Sequence, residues 1–166
     1  MLPLIQTLFD IALLRKGPEH IPRSTALLIV VIGLWLFAVL VQMALIERID
    51  EADFFYELFS ALVGVISYSA VVIGFGQAPR LTQTITAILG CGALLAIIFT
   101  VGYVVLQAVG VPALMFIMVW AIVLWSLSIK GHIIASAIGR HWYLGLAIAV
   151  SVFILQHVVH AYISGG

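Results

Sequence analysis

The sequence predicts an all-α fold: a polytopic membrane protein with five transmembrane helices. The first reason is composition, because 64% of the 166 residues are apolar and 8% are charged, against about 25% charged residues in a typical soluble domain. A soluble protein of this size needs many charged residues to cover its surface. The second reason is the length of the uncharged segments, and the third is the distribution of basic residues between them.

Three segments are predicted directly as membrane spans. A helix crosses the hydrocarbon core with about 20 apolar residues, and residues 24–46 meet this requirement. Residues 55–76 form the second span, which gains its length from the aromatic residues at its start. Residues 142–163 form the last span, with aromatic side chains at both ends, where such rings favour the headgroup region.

The uncharged stretch 81–129 must contain two spans. As a single helix it would be about 74 Å long, more than twice the hydrocarbon thickness. Gly110 and Pro112 mark the break, because glycine relaxes the backbone and proline suits the first turn of a new helix. The predicted helices are therefore 83–107 and 112–129.

The basic residues predict the orientation. Lys and Arg accumulate in short cytoplasmic loops, and with five spans six of the seven fall on one side. These residues are Arg15, Lys16, Arg23, Arg80, Lys130 and Arg140. The N-terminus is therefore expected inside and the C-terminus outside, in the inner (cytoplasmic) membrane of a bacterium.

Residues 1–23 are expected to form a cytoplasmic, interfacial amphipathic segment ahead of the five-span bundle, 24–166. One helical face is apolar and the opposite face is polar, as in helices that lie on membranes. The apolar face consists of Ile5, Leu8, Phe9, Ala12 and Leu13, and the polar face of Gln6, Thr7 and Asp10. Gly17 and Pro18 are expected to end this helix.

The stretch between Lys130 and Arg140 is too short to cross the membrane. Residues 131–139 would measure about 13 Å as a helix. They alternate apolar and polar residues at helical spacing. We expect either an amphipathic connector or an extension of the fourth helix.

An acidic cluster lies between the first two spans, at Asp50, Glu51, Asp53 and Glu57. Carboxylate oxygens suit Ca²⁺ or Mg²⁺, but the spacing matches no calcium-binding loop. Asp53 is placed to cap the second span and to complement its positive end. We therefore expect a solvated cap and topological signal, and predict no metal site.

A polar layer is predicted near the outer face once the orientation is imposed. Its members are Gln42, Tyr103, Gln107, Gln156, His157 and His160. Such groups either bind a ligand, such as a quinone headgroup or a polar lipid, or form hydrogen bonds between helices. The second reading is the expected one.

A haem b is the other cofactor considered for this layer. His157 and His160 lie on one helical turn and cannot be its two opposite axial ligands. A haem would therefore need Met43, Met115 or a second subunit as its other ligand. No cofactor is predicted.

A basic group is predicted at the inner face, formed by Lys130, His132, Arg140 and His141. It suits an anionic lipid headgroup or the acidic segment of a partner. The alternative is that Lys130 and Arg140 anchor helix ends and set the orientation. The alternative is the expected role.

Several functional classes find no support in the sequence. Seven basic residues balance seven acidic ones, so no global field attracts nucleic acid. The serines lie in no hydrolase motif, and Cys91 is the single cysteine, which excludes a disulfide within the chain. No charged residue is expected near the centre of a span, where ion-coupled transporters usually need one.

The chain resembles the Yip-type (Ypt-interacting) membrane family. The resemblance rests on five predicted spans with short loops, on Gly17-Pro18 ahead of the first span, and on the stretch Trp125 to Ile133. It implies a small inner-membrane protein of five helices and assigns no functional residues.

The expected function is that of a non-enzymatic accessory, scaffold or assembly protein that acts through helix contacts in a larger membrane complex. Small residues at spacings of four, which favour close helix packing, motivate it. Its expected partners are membrane lipids and other integral membrane subunits or further copies of the chain, without nucleic acid. The alternatives are a quinone- or haem-associated subunit and a small-solute channel or transporter.

Overall fold

The computed structural model confirms the all-α, five-span prediction. It describes residues 2–46 and 51–164, with the side chains of 4–46 and 55–162. The α-helices in this part of the chain are α1 (Leu2–Ala12), α2 (Thr25–Leu45), α3 (Glu51–Gly74), α4 (Leu81–Val109), α5 (Pro112–Ile138) and α6 (Trp142–Ser164). Helices α2 to α6 are long and apolar enough to cross a membrane, which makes the chain a multi-pass integral membrane protein.

The turn between α4 and α5 lies where the sequence predicts it. Gly110 ends α4 in the left-handed conformation, with φ of 72°, which glycine adopts without steric cost. Pro112 occupies the first turn of α5, where its missing N–H leaves no helical hydrogen bond unmade.

Helix α5 extends well beyond its predicted end at residue 129. It continues through Lys130 to Ile138 and ends at Gly139, whose φ is 64°. The extension is stable because Ile133, Ile134 and other residues in it are buried against the rest of the bundle. Of the two alternatives for residues 131–139, the helix extension is therefore correct.

Helix α4 is the centre of the bundle. It packs against α2 on one side and α5 on the other, and α6 packs against α5. Helix α3 makes fewer contacts, mainly with α6, and across the described residues of both helices α2 and α3 hardly touch. The second span is therefore the most loosely held of the five.

The N-terminal segment packs along the bundle. Leu8, Ile11 and Ala12 are buried in the main core, while Ile5, Phe9 and Leu13 are exposed. The predicted apolar face is thus partly in the core and partly on the surface. Ile11, which was not predicted for this face, is also buried.

Side chains of α4 and α5 hold this segment through its backbone carbonyls. Cys91 Sγ donates to the carbonyl oxygen of Leu8 (3.7 Å), and Trp125 Nε1 donates to that of Ala12 (2.9 Å). Trp125 lies about 20 Å along α5 from its end at Ile138. The segment therefore reaches far up the side of the bundle.

We expect the substitution Trp125→Phe to weaken the docking of α1. It removes the indole N–H and leaves the carbonyl of Ala12 without its donor, at a cost of about 1 kcal/mol in the free energy of unfolding. Thermal unfolding of the purified protein in detergent measures the loss. Trp120→Phe is the control, since Trp120 is exposed on the same helix; equal effects of the two substitutions would contradict the prediction.

Candidate ligand-binding cavity

A cavity of about 400 Å³ lies between the five spans, and each of them contributes residues to its wall. The cavity is partly open to its surroundings. Much of the wall is apolar, including Trp35 on α2, Leu89 and Phe99 on α4, and Phe153 on α6. The polar residues of the wall are Gln42, Tyr56, Glu57, Ser60, Tyr68, Ser126, Lys130, Gln156 and His157.

Helix α3 presents one continuous face to the cavity. Glu57, Ser60, Gly64 and Tyr68 are spaced by three or four residues, so they lie on the same side of the helix. Gly64 allows close approach of α6, because a Cβ atom there would come within 2.9 Å of Gln156 Nε2. That nitrogen donates to the carbonyl oxygen of Ser60 at 2.6 Å, which joins α6 to α3 beside the cavity.

Two ionisable groups of opposite charge face this space. Glu57 lies on α3, within the span 55–74, and Lys130 lies on α5, within the span 112–138. They interact electrostatically. Ionisable residues within membrane spans are costly and usually belong to ligand or ion pathways, so this pair marks the cavity as the candidate site.

The structure brings together three of the six residues of the predicted outer layer. Gln42, Gln156 and His157 line the cavity. Tyr103, Gln107 and His160 do not contribute to its wall, although the ring of His160 lies 3.8 Å from that of Tyr56. The Gln156–Ser60 hydrogen bond is of the interhelical kind expected for this layer, so Gln156 takes part in both helix packing and the cavity wall.

Two members of the predicted outer layer, Tyr103 and His157, make contacts within their own helices. The ring of Tyr103 contacts that of Phe99, with centroids 6.1 Å apart, and Gln107 is exposed close to the end of α4. His157 Nδ1 lies 2.9 Å from the carbonyl oxygen of Phe153, one turn earlier on α6. The quinone and haem hypotheses for this layer stay predictions.

The four residues of the predicted inner basic group are not brought together. Lys130 faces the cavity, and His132 Nε2 lies 3.1 Å from the carbonyl oxygen of Lys16. Arg140 and His141 are exposed in the turn between α5 and α6.

A different basic residue, Arg80, is bound to the C-terminal end of α5. Arg80 Nη1 donates to the carbonyl oxygens of Ser136 and Ala137, each at 3.2 Å. A cation there complements the negative end of the helix.

The predicted acidic cluster lies mostly outside what the structure describes. Asp50 is outside the described residues, and only the backbone is described for Glu51 and Asp53. Glu57 belongs to the cavity wall. Within the described residues, no three His, Cys, Asp or Glu side chains come close enough together to hold a metal ion.

Sequence analysis missed Lys130, Glu57, Ser126 and Tyr68 as members of one site. Two signals were available. The spacing of Glu57, Ser60, Gly64 and Tyr68 predicts a shared helical face, and no helix-breaking proline follows Lys130 before the turn at Gly139. The absence of a proline after Lys130 was overlooked because the predicted span was ended at the first charged residue, which is Lys130.

Comparison with protein-family models, curated proteins and solved structures found no match for this chain. The resemblance to the Yip-type family stays a prediction. The fold and the cavity define the chain as a five-span integral membrane protein with a ligand-sized internal cavity.

Proposed function

We propose that the protein is a carrier of small solutes that binds its substrate in the central cavity. The observation that carries this proposal is that Glu57 and Lys130 both line one open cavity, to which all five spans contribute residues. Further polar groups extend the polar surface on α3 and α6, among them Ser60 and Gln156. A volume of about 400 Å³ lies within the range of small-molecule sites.

The proposed carrier lies in the inner membrane of a bacterium, with its N-terminus inside. The support is the segregation of basic residues to one side of the five spans. In this orientation the end of the cavity with Glu57 faces outward, and Lys130 lies toward the cytoplasm.

Cysteine labelling in membrane vesicles tests the carrier. In a Cys91→Ala background, Ser60→Cys and Ser126→Cys place thiols in the cavity wall. We expect a charged, membrane-impermeant methanethiosulfonate to modify them at least about tenfold faster than thiols facing lipid, because the reactive thiolate needs an aqueous, polar surrounding. Reagent applied to each side of the membrane in turn measures access from that side.

The matched controls are Ile66→Cys on α3 and Leu124→Cys on α5. Their native side chains are 59% and 60% exposed on the outer surface of the bundle, where the reagent does not enter. Modification of Ser126→Cys from both sides supports transport. Modification from one side alone would contradict a carrier, and cavity and control thiols of equal reactivity would contradict a polar cavity.

The second candidate function is that of an accessory subunit in a larger membrane complex. The sparse contacts of α3 favour it, since a neighbouring subunit could supply the packing that this helix lacks within the chain. Cross-linking from cysteines on the exposed face of α3, followed by identification of the captured subunit, tests this function. A chain that stays monomeric and uncross-linked in its native membrane would overturn it.

A further inference from the structure

The charges of Glu57 and Lys130 face the cavity without touching. The ion pairs formed by the described residues are Lys16–Asp10 and His20–Glu19, so Glu57 and Lys130 are not joined in one. Glu57 is exposed and Lys130 is half-buried, and opposite charges attract each other across such a space. Two such charges kept apart in an open space complement a ligand that has both charges itself.

Two hydroxyl groups line the same cavity as Lys130. Ser126 lies one helical turn before Lys130 on α5, and Tyr68 lines the cavity from α3. None of the hydrogen bonds within the described residues uses the side chains of Tyr68, Ser126 or Lys130. In the same part of the chain no sealed side-chain N or O atom lacks a partner, so these three groups reach the open space.

Three other basic side chains have partners. Arg80 donates to the end of α5, Arg23 Nε donates to Gln83 Oε1 at 3.1 Å, and Lys16 pairs with Asp10 at 2.8 Å. Lys130, by contrast, faces the cavity. With the two hydroxyl groups it offers three kinds of donor to one acidic group, and donors with a positive charge form the stronger hydrogen bonds.

We propose that the cavity binds a zwitterionic molecule with an apolar side chain. Its carboxylate or phosphate lies on Lys130, Ser126 and Tyr68, and its ammonium group lies on Glu57. The apolar part packs on Trp35 and the neighbouring apolar wall of α4. This inference names the substrate class and rests on the proposed carrier function.

Three brominated probes with the same alkyl chain test the ligand class. They are an ω-bromoalkyl carboxylic acid, the corresponding amine, and the α-amino acid with that chain as its side chain. Bromine quenches nearby indole fluorescence, and Trp35 lines the cavity. The difference in quenching between the protein and its Trp35→Phe variant isolates binding in the cavity from partition into lipid.

The wild-type protein in lipid nanodiscs is expected to bind the amino acid at least about tenfold more tightly than either singly charged probe, the size of one charged hydrogen bond. In the Lys130→Gln variant we expect the amino-acid probe to bind no more tightly than the amine. In the Glu57→Gln variant we expect it to bind no more tightly than the carboxylic acid. These opposite changes distinguish ligand recognition from a general loss of structure. Ser126→Ala, which keeps both charges, lowers affinity for the two acidic probes and leaves the amine unaffected.

Nanodisc composition distinguishes the two sources of such a ligand. If the ligand is a lipid headgroup, phosphatidylethanolamine discs weaken binding of the amino-acid probe relative to phosphatidylglycerol discs. If it is a free solute, the two compositions give equal binding. Both results support the zwitterion site.

Equal affinity for the three probes, or a preference that survives Lys130→Gln and Glu57→Gln, would overturn the inference. The cysteine measurements separate this failure from failure of the carrier proposal. If Ser60→Cys and Ser126→Cys are modified from both sides while the probes bind equally, the carrier stands and the zwitterionic class is rejected.

Discussion

The substitution Gly145→Ala is expected to destabilise the protein by about 3 kcal/mol, because it forces α5 and α6 apart. A Cβ atom at Gly145 would contact the carbonyl oxygen of Gly131 and would come within 2.7 Å of the Cβ atom of Ala135 and 2.8 Å of its backbone nitrogen. Most of these atoms belong to the backbone, which cannot rotate away as a flexible side chain does. Relief of the overlap therefore requires movement of the helices.

The free energy of unfolding in mixed detergent micelles measures this loss. Gly33→Ala is the matched control, since Gly33 lies within α2 and a Cβ atom there meets nothing within 4 Å. Alanine favours a helix by about 1 kcal/mol over glycine, so the control is expected to be neutral or slightly stabilised. A Gly145→Ala variant as stable as the control would show that α5 and α6 separate without cost.

The substitution Gln83→Leu is expected to release the N-terminal segment from the bundle. Gln83 is 6% exposed, and its Nε2 donates to the carbonyl oxygens of Ile21 and Glu19. Its Oε1 accepts from Arg23 Nε. Leucine fills a similar volume and leaves these groups unpaired, at a cost of about 3 kcal/mol.

Limited proteolysis detects the release. Trypsin cleaves after Arg15 and Lys16, and we expect cleavage of the Gln83→Leu variant to be at least about tenfold faster, because opening of the segment becomes easier. Gln6→Leu is the control, since Gln6 is exposed on α1. Equal cleavage rates for the two variants would mean that Gln83 does not hold the segment.

The positions of the five spans follow from the sequence because each depends on local chemistry. The turn at Gly110 and Pro112 is predictable since both residues restrict the backbone in known ways. The end of α5 is not, because burial of Ile133 and Ile134 against other helices decides it. An apolar helical face has the same sequence pattern whether it packs against a distant helix or against lipid, so the pattern does not distinguish the two.

The candidate site is less predictable than the fold for the same reason. Gln42, Gln156 and His157 were grouped by their predicted depth, which follows from span boundaries, and all three line the cavity. Glu57 and Lys130 were assigned to opposite membrane faces, and their meeting in one cavity depends on how α3 lies against α5. The sequence alone does not indicate a role for the hydroxyl of Tyr68, because it does not show that the helical face with Tyr68 lines a cavity.

The sparse contact between α2 and α3 has a consequence for biogenesis. Spans that are adjacent in sequence usually enter the membrane in order and can associate as a hairpin, but α2 packs on α4. Since synthesis proceeds from the N-terminus, α2 must stay in the lipid without its main partner until α4 has been inserted. Loss of the chain beyond α3 would therefore leave two inserted helices with no stable association, ready substrates for membrane proteolysis.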